Sequence, residues 1–166
     1  MSQLKSISPE GVEAALSKAE QYRRLGESWF AESICLDILD VEPDHQAALV
    51  KLLLAITDQF KSDGSRRGDE AKALLDRMEG DYERAYYAGI IWERMGTAAI
   101  RGQTPGVGVV AYERLSQAMA CFEEAEQVRP TGDDSAILRW NSCARLIQRY
   151  DHVRPAYDEP GERMLE

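Results

Sequence analysis

Two stretches of the sequence share one apolar pattern: AESICLDILDVEP, residues 31–43, and AMACFEEAEQVRP, residues 118–130. The shared positions are a small residue, apolar residues four and then three positions on, and a final proline: Ala31, Cys35, Ile38 and Pro43 in one, and Ala118, Phe122, Ala125 and Pro130 in the other. Steps of three and four place residues on one face of an α-helix, and proline cannot continue a helix. Each stretch is therefore predicted to be an amphipathic helix that ends before its proline.

A second pair of matching helices lies upstream. Residues 19–26, AEQYRRLG, and residues 89–96, GIIWERMG, both carry a small residue, an aromatic residue three positions on and a glycine four further. A small residue lets two helices approach closely, and the aromatic ring fills the next gap on the same face. The whole series resembles the tetratricopeptide repeat, a helix–turn–helix unit of about 34 residues. Tyr22 and Trp92 are 70 residues apart, which corresponds to two such units.

The resemblance extends over roughly residues 9–150 and is weaker in the middle unit, where Leu53 stands at a position at which the family prefers a small residue. Asp44 is an N-cap candidate for the first helix of that unit. A last helix, DDSAILRWNSCARLIQRY, has no partner after it and is expected to cap the array. The resemblance thus implies an all-α, right-handed helical solenoid of three helix–turn–helix units plus a C-terminal capping helix. Residues 1–8 are expected to be flexible, and residues 151–166 to form a loose acidic tail.

The third unit is longer than the first. Gly96 and Ala118 are 22 positions apart, against five for Gly26 and Ala31, so we place an insertion of seventeen residues at 97–113. The apolar stripes continue into the insertion from both sides, which predicts a long helical hairpin with the glycine-rich tip RGQTPGVG. A phosphate-binding loop would need a preceding strand and a lysine–hydroxyl pair, and neither is present. The apolar residues near the tip are candidates for contact with a partner or a second copy: Ile100, Val107, Val109, Val110 and Tyr112.

Composition limits the function classes. The chain has 166 residues and a formal charge of −9, which argues against a general nucleic-acid binder. It contains neither a membrane-span pattern nor a signal-peptide pattern, so a cytoplasmic location is expected. The three cysteines fall in apolar helical patterns and are expected to be packing thiols. Without a catalytic or metal-binding motif, we expect no enzyme activity, no cofactor and no metal.

The family resemblance also suggests where a ligand binds, because the first helices of such units line a groove. Candidates flanking the apolar stripes are Arg23, Arg24, Tyr86, Ile90, Arg94, Asn141, Arg145 and Arg149, with Val50, Leu54 and Asp58 in the middle unit. Guanidinium groups suit carboxylates, so an acidic peptide or a C-terminal carboxylate is one expected ligand. The alternative is that the arginines only face solvent.

Three hypotheses about function remain. The first is a protein–protein interaction scaffold that binds a peptide or partner segment in the groove. The second is a self-assembling, homo-oligomeric subunit that uses the hairpin at 100–112. The third is a helical enzyme accessory or regulatory protein.

Overall fold

A computed structural model describes residues 2–61 and 65–156, apart from the side chains of residues 65 and 66. Within these residues all regular secondary structure is helical, which confirms the predicted all-α class. After a short 3-10 turn, seven helices follow: α1 (Val12–Arg24), α2 (Ser28–Val41), α3 (Gln46–Asp58), α4 (Ser65–Leu75), α5 (Asp81–Ile100), α6 (Val107–Gln127) and α7 (Ser135–Arg149). In this part of the chain, no helix combines the length and the apolar character needed to cross a membrane.

The start of α3 differs from the prediction. His45, not Asp44, is the N-cap, and its imidazole Nδ1 accepts a hydrogen bond from the Ala48 N–H at 3.2 Å. An imidazole nitrogen can satisfy a free N–H of the first turn as a hydroxyl or carboxylate does. Asp44 was predicted because aspartate is among the residue types common at the N-cap, whereas histidine is not.

Neighbouring helices in the chain pack against each other, and the odd-numbered helices also contact one another. Helix α3 packs against both α1 and α5. The contacts between α1 and α3 give their relative direction, because His45 approaches Glu13 near the helix starts and Arg23 binds Asp58 near the ends. These two helices therefore run in the same direction. Tyr82 and Arg139 provide corresponding contacts between α5 and the region of α7.

The buried residues form two connected cores. The first lies among α1 to α4 and includes Leu49 and Leu53, both fully buried. The second lies among α5 to α7 and includes Phe122 and Leu115. Trp92 packs against both cores and so joins the two halves.

Helices α5 and α6 form a long hairpin connected by residues 101–106. Two glycines of α5 lie directly against large side chains of α6. A Cβ at Gly89 would lie 2.5 Å from the Phe122 ring, and one at Gly96 would lie 2.9 Å from Leu115 Cγ. Real Cβ atoms do not approach other carbons so closely, so the close contact of these helices depends on both glycines.

Both ends of the described chain contact its cores. Residues 2–8 contain no helix, although Ile7 packs against the first core. Val153 is buried in the second core, and the main chain at His152 lies against Gly108 at the start of α6. The expected loose tail is therefore packed at its beginning, while residues 157–166 lie outside the described part of the chain.

Candidate functional site

Helix α3 contacts α1 and α5, and α5 contacts α7 through Glu93 and Arg139, so the flanks of the odd-numbered helices lie side by side. These flanks are here called the odd-helix face. It contains these residues: Glu20, Arg23, Ala47, Val50, Lys51, Leu54, Asp58, Tyr86, Tyr87, Arg94 and Arg139. Their proximity follows from the parallel packing of the odd-numbered helices, because side chains at matching heights meet across the helix pairs. Six of the expected groove residues are on it: Arg23, Val50, Leu54, Asp58, Tyr86 and Arg94.

Arg23 and Arg94 are brought together by Asp58. Arg23 Nε donates a hydrogen bond to the Asp58 carboxylate at 2.8 Å, Arg94 donates to its other oxygen, and the Ser28 hydroxyl donates at 3.2 Å. Burial raises the pKa of Asp58, but the hydrogen bonds and charges of the two arginines outweigh it and hold the pKa below its usual value. Two of the expected groove cations are thus already bound to a carboxylate of the same chain.

A second ion-pair cluster connects α1 and α3. Lys51 Nζ donates to Glu20 at 2.8 Å, and Arg24 Nε donates to the same carboxylate at 3.2 Å. The hydrogen bond from Lys51 is the main reason that the pKa of Glu20 is lowered. Arg24 remains largely exposed, with a side-chain exposure of 78%. Among these cations, Arg24 is the more accessible to a ligand.

A third pair, between α5 and α7, was not expected from the sequence. Arg139 Nη1 lies 3.1 and 3.3 Å from the two carboxylate oxygens of Glu93, which is buried. Burial raises the pKa of Glu93, and the charge of Arg139 partly counteracts this effect. A usable signal was present, because Glu93 lies between Trp92 and Met95 in an apolar segment, and a buried acid needs a cationic partner.

The three polar residues predicted on the last helix lie elsewhere. Arg145 and Arg149 are exposed and Asn141 is half-buried, on the side of α7 away from its buried residues. Arg149 lies 5.8 Å from the Tyr150 ring. Within the described chain, neither arginine joins the carboxylates that bind Arg23 and Arg94.

The two remaining groove candidates differ in exposure. Tyr86 is half-buried and stacks on Tyr82 with ring centroids 5.5 Å apart. It also packs against Phe122, at 5.8 Å. Ile90 is only 2% exposed and belongs to the second core. Tyr86 could therefore contact a ligand at its edge, whereas Ile90 supports the surface from below.

A cavity of about 580 Å³ on this face lies between the first turns of α3 and α5. It is lined by Gln46, Ala47, Val50, Lys51, Met78, Glu79, Gly80, Glu83 and Tyr87. Gln46 fixes the lower rim, because its amide donates to the Arg77 carbonyl at 3.2 Å and accepts from the Glu79 N–H at 2.9 Å. A smaller cavity of about 260 Å³ lies beside Asp58 and Arg94.

The apolar residues expected to protrude from the hairpin are largely covered. Ile100, Val107 and Tyr112 pack against the second core, and Val109 is half-buried. Only Val110 of this group is exposed, at 38%. The segment following α7 contributes to this covering, since it lies against the start of α6 at Gly108.

The cysteine thiols are not arranged for chemistry. Burial raises the pKa of Cys35 to about 11 and that of Cys143 to about 12, so both remain protonated near neutral pH. Cys121 is half-buried, and burial raises its pKa as well. Among the residues described, no group of three or more histidine, cysteine, aspartate or glutamate side chains is placed to hold a metal ion.

Comparison of the chain with protein-family models, curated proteins and solved structures gives no match. We therefore infer function from the repeated spacing in the sequence and from the geometry of the odd-helix face.

Proposed function

We propose that this protein is a protein–protein interaction module of the tetratricopeptide type, with three helix–turn–helix units in a right-handed solenoid and α7 as the capping helix. In this proposal an extended segment of a partner protein lies across the odd-helix face. The observation that carries the proposal is the cavity of about 580 Å³ between α3 and α5, which lies in the middle of that face.

The cavity suits a protruding side chain of a partner. Val50, Met78 and Tyr87 provide an apolar lining, and Gln46 and Glu83 offer hydrogen-bonding groups at the rim. Binding sites typically combine an apolar wall with a few placed polar groups. An extended segment also presents side chains at intervals, so one apolar residue can enter while its neighbours remain outside.

The distribution of charge restricts where an acidic ligand could bind. Arg23 and Arg94 are occupied by Asp58, so a ligand carboxylate would have to replace that residue. Arg24 and Arg101 are exposed and lie in the last turn of α1 and just after α5, respectively. We therefore place an apolar anchor in the cavity and any acidic end of the ligand beside these two guanidinium groups.

The experiment is selection of short random peptides displayed on phage against the wild-type protein, followed by binding assays with two variants. Ala47→Arg fills the cavity from an exposed position, and Ala120→Arg makes the same change at an exposed position of α6. Selected peptides should lose binding to Ala47→Arg and keep it with Ala120→Arg. Failure to select any peptide, or equal binding to both variants, would contradict the proposal.

The acidic end of the ligand is tested separately. Arg24→Glu combined with Arg101→Glu should weaken binding of those selected peptides that carry a terminal acidic group and leave the others unchanged. Equal binding of acidic peptides before and after the change would remove these two arginines from the site.

Self-assembly through the hairpin is the weaker alternative, because four of its five apolar candidates are at least half-buried within their own chain. Light scattering at several concentrations tests it directly, and a dimer that is lost on replacing Val109 and Val110 by serine would restore it. A cytoplasmic location fits the proposal, since the three cysteines are free thiols.

A further inference from the structure

A second surface, separate from the odd-helix face, is exposed on α2. Trp29, Phe30 and Leu36 have relative exposures of 62%, 51% and 53%, and together they are called the α2 outer patch. Trp29 and Phe30 are in edge-to-face contact with ring centroids 5.2 Å apart. Trp29 and Leu36 are seven positions apart and so lie on the same side of the helix. Large apolar side chains exposed in a cluster typically mark an interaction site.

The repeat itself does not require these residues. When α2 and α6 are aligned on Ala31 and Ala118, three inward positions correspond, and all six residues are buried: Ala31, Cys35 and Ile38 in α2, and Ala118, Phe122 and Ala125 in α6. The outward positions differ: Trp29, Phe30 and Leu36 of α2 correspond to Ser116, Gln117 and Glu123 of α6. The same helical unit can therefore be built with a polar outer surface. The apolar residues on α2 need another explanation.

Charge around the patch indicates the kind of partner. Helix α2 carries three acidic residues, Glu32, Asp37 and Asp40, and no basic residue. Lys5 of the N-terminal segment lines a cavity with Asp37 and Asp40. Glu32 is bound to Arg67 at 2.7 Å, whereas Asp37 and Asp40 form no ion pair within the described residues. Since Asp40 lies one turn beyond Leu36, a partner that covers the patch meets an unpaired carboxylate at its edge.

We propose that the α2 outer patch binds a partner segment in which apolar side chains alternate with lysine or arginine, such as one face of a basic amphipathic helix. The apolar side chains would cover Trp29 and Leu36, and the basic ones would pair with Asp37 and Asp40. A second copy of this chain fits less well, because each copy has a formal charge of −9 and would bring another acidic α2 to the contact.

The test uses two labelled model peptides with the same leucine stripe, one with lysine and one with glutamate on its other face, and measures fluorescence anisotropy. The double variant Trp29→Ser, Leu36→Glu gives α2 the residues of α6, and Leu138→Glu is the control at another exposed leucine. Because Leu36→Glu and Leu138→Glu add the same charge, unspecific attraction of the lysine peptide should increase equally in both.

The lysine peptide should bind the wild-type protein more tightly than the glutamate peptide does. The double variant should weaken lysine-peptide binding by about tenfold or more, as expected when a central aromatic residue is lost, while Leu138→Glu should not weaken it. Equal weakening by both variants, no weakening by either, or equal affinity for both peptides would overturn the proposal. So would a dimer in sedimentation experiments that disappears in the double variant, because it would make a second copy the occupant.

Discussion

The hairpins α1–α2 and α5–α6 share one spacing of apolar residues in the sequence but pack differently. In the first, Ala19 and Cys35 occupy the central positions; in the second, these positions are Gly89 and Phe122. All four residues are buried. The large ring in α6 fits because α5 lacks a side chain opposite to it. The comparison shows that two packed helices can fill the space between them in different ways, with a large side chain on one helix where the other has none.

The final glycines of the two patterns also differ in role. Gly26 follows α1 with φ +77°, and a Cβ there would meet no atom within 4 Å, so it serves backbone conformation alone. Gly96 lies inside α5 and allows contact with Leu115. The glycine of this pattern therefore follows the end of the helix in α1–α2, whereas in α5–α6 it lies within the helix and contacts the neighbouring helix.

The largest effect is expected for Phe122→Cys, which copies the first hairpin into the second. The change should lower the free energy of unfolding by about 3 kcal/mol or more, because it leaves a cavity. Adding Gly89→Ala completes the pair found at Ala19 and Cys35, and should recover about 1 kcal/mol through helix propensity and partial filling. Urea unfolding followed by circular dichroism measures both values. If Gly89→Ala stabilised the wild-type protein as much as the variant, the two positions would not be coupled.

The next effect separates the two glycine roles. Asparagine tolerates positive φ, so Gly26→Asn should cost less than about 1 kcal/mol. Gly96→Asn should cost about 1–3 kcal/mol, because its side chain would overlap Leu115. Thermal or urea unfolding of the two variants makes the comparison. Equal losses would contradict the assigned roles.

A smaller effect concerns the link between the two hairpins, since Asp58 binds Arg23 of α1 and Arg94 of α5. The pKa of Asp58 is lowered in the folded protein, so its stabilising contribution is complete above its unfolded pKa of about 4 and disappears as the pH falls through the folded pKa. Asp58→Asn should therefore cost about 1 kcal/mol at neutral pH, and less at low pH.

Unfolding midpoints measured from neutral pH to about pH 3 test this prediction over the relevant titration range. Asp40→Asn serves as the control, because Asp40 forms no ion pair among the described residues. Parallel loss of stability in Asp58→Asn and the wild type would show that Asp58 does not provide the link. For Glu93 the pH dependence of stability has the opposite sign. Its pKa is raised in the folded protein, so its contribution to folding stability is present at low pH and decreases as the pH rises through the folded pKa.

The smallest effect is expected from exchanging outer surfaces. Trp29→Ser with Leu36→Glu should change stability by less than about 0.5 kcal/mol, because both side chains are mainly exposed. A calorimetric melting experiment is sufficient. A loss of several kcal/mol would mean that the patch supports the fold, and would remove the reason for assigning it to a partner.

Local periodicity predicted the helical class and the inward positions of the two best units, because a helix repeats its buried face every three to four residues. It did not predict the Glu93–Arg139 pair or the covering of the hairpin. Both depend on which segments meet in space: α7 approaches α5, and the chain near Val153 returns to α6. The spacing of residues within one helix carries no information about such tertiary contacts. The exposed apolar residues were accordingly expected at 100–112, whereas the described structure exposes larger ones on α2.

The contact between the His152 main chain and Gly108 has a consequence for the dynamics of the chain. Arrays of helical pairs usually open from their ends, where the last helix has a neighbour on one side only. Here the residues after α7 pack on the start of α6, with Val153 in the same core as α7. Amide hydrogen exchange in the last turn of α7 should therefore be as slow as at the start of α6, because the two would open in one cooperative event.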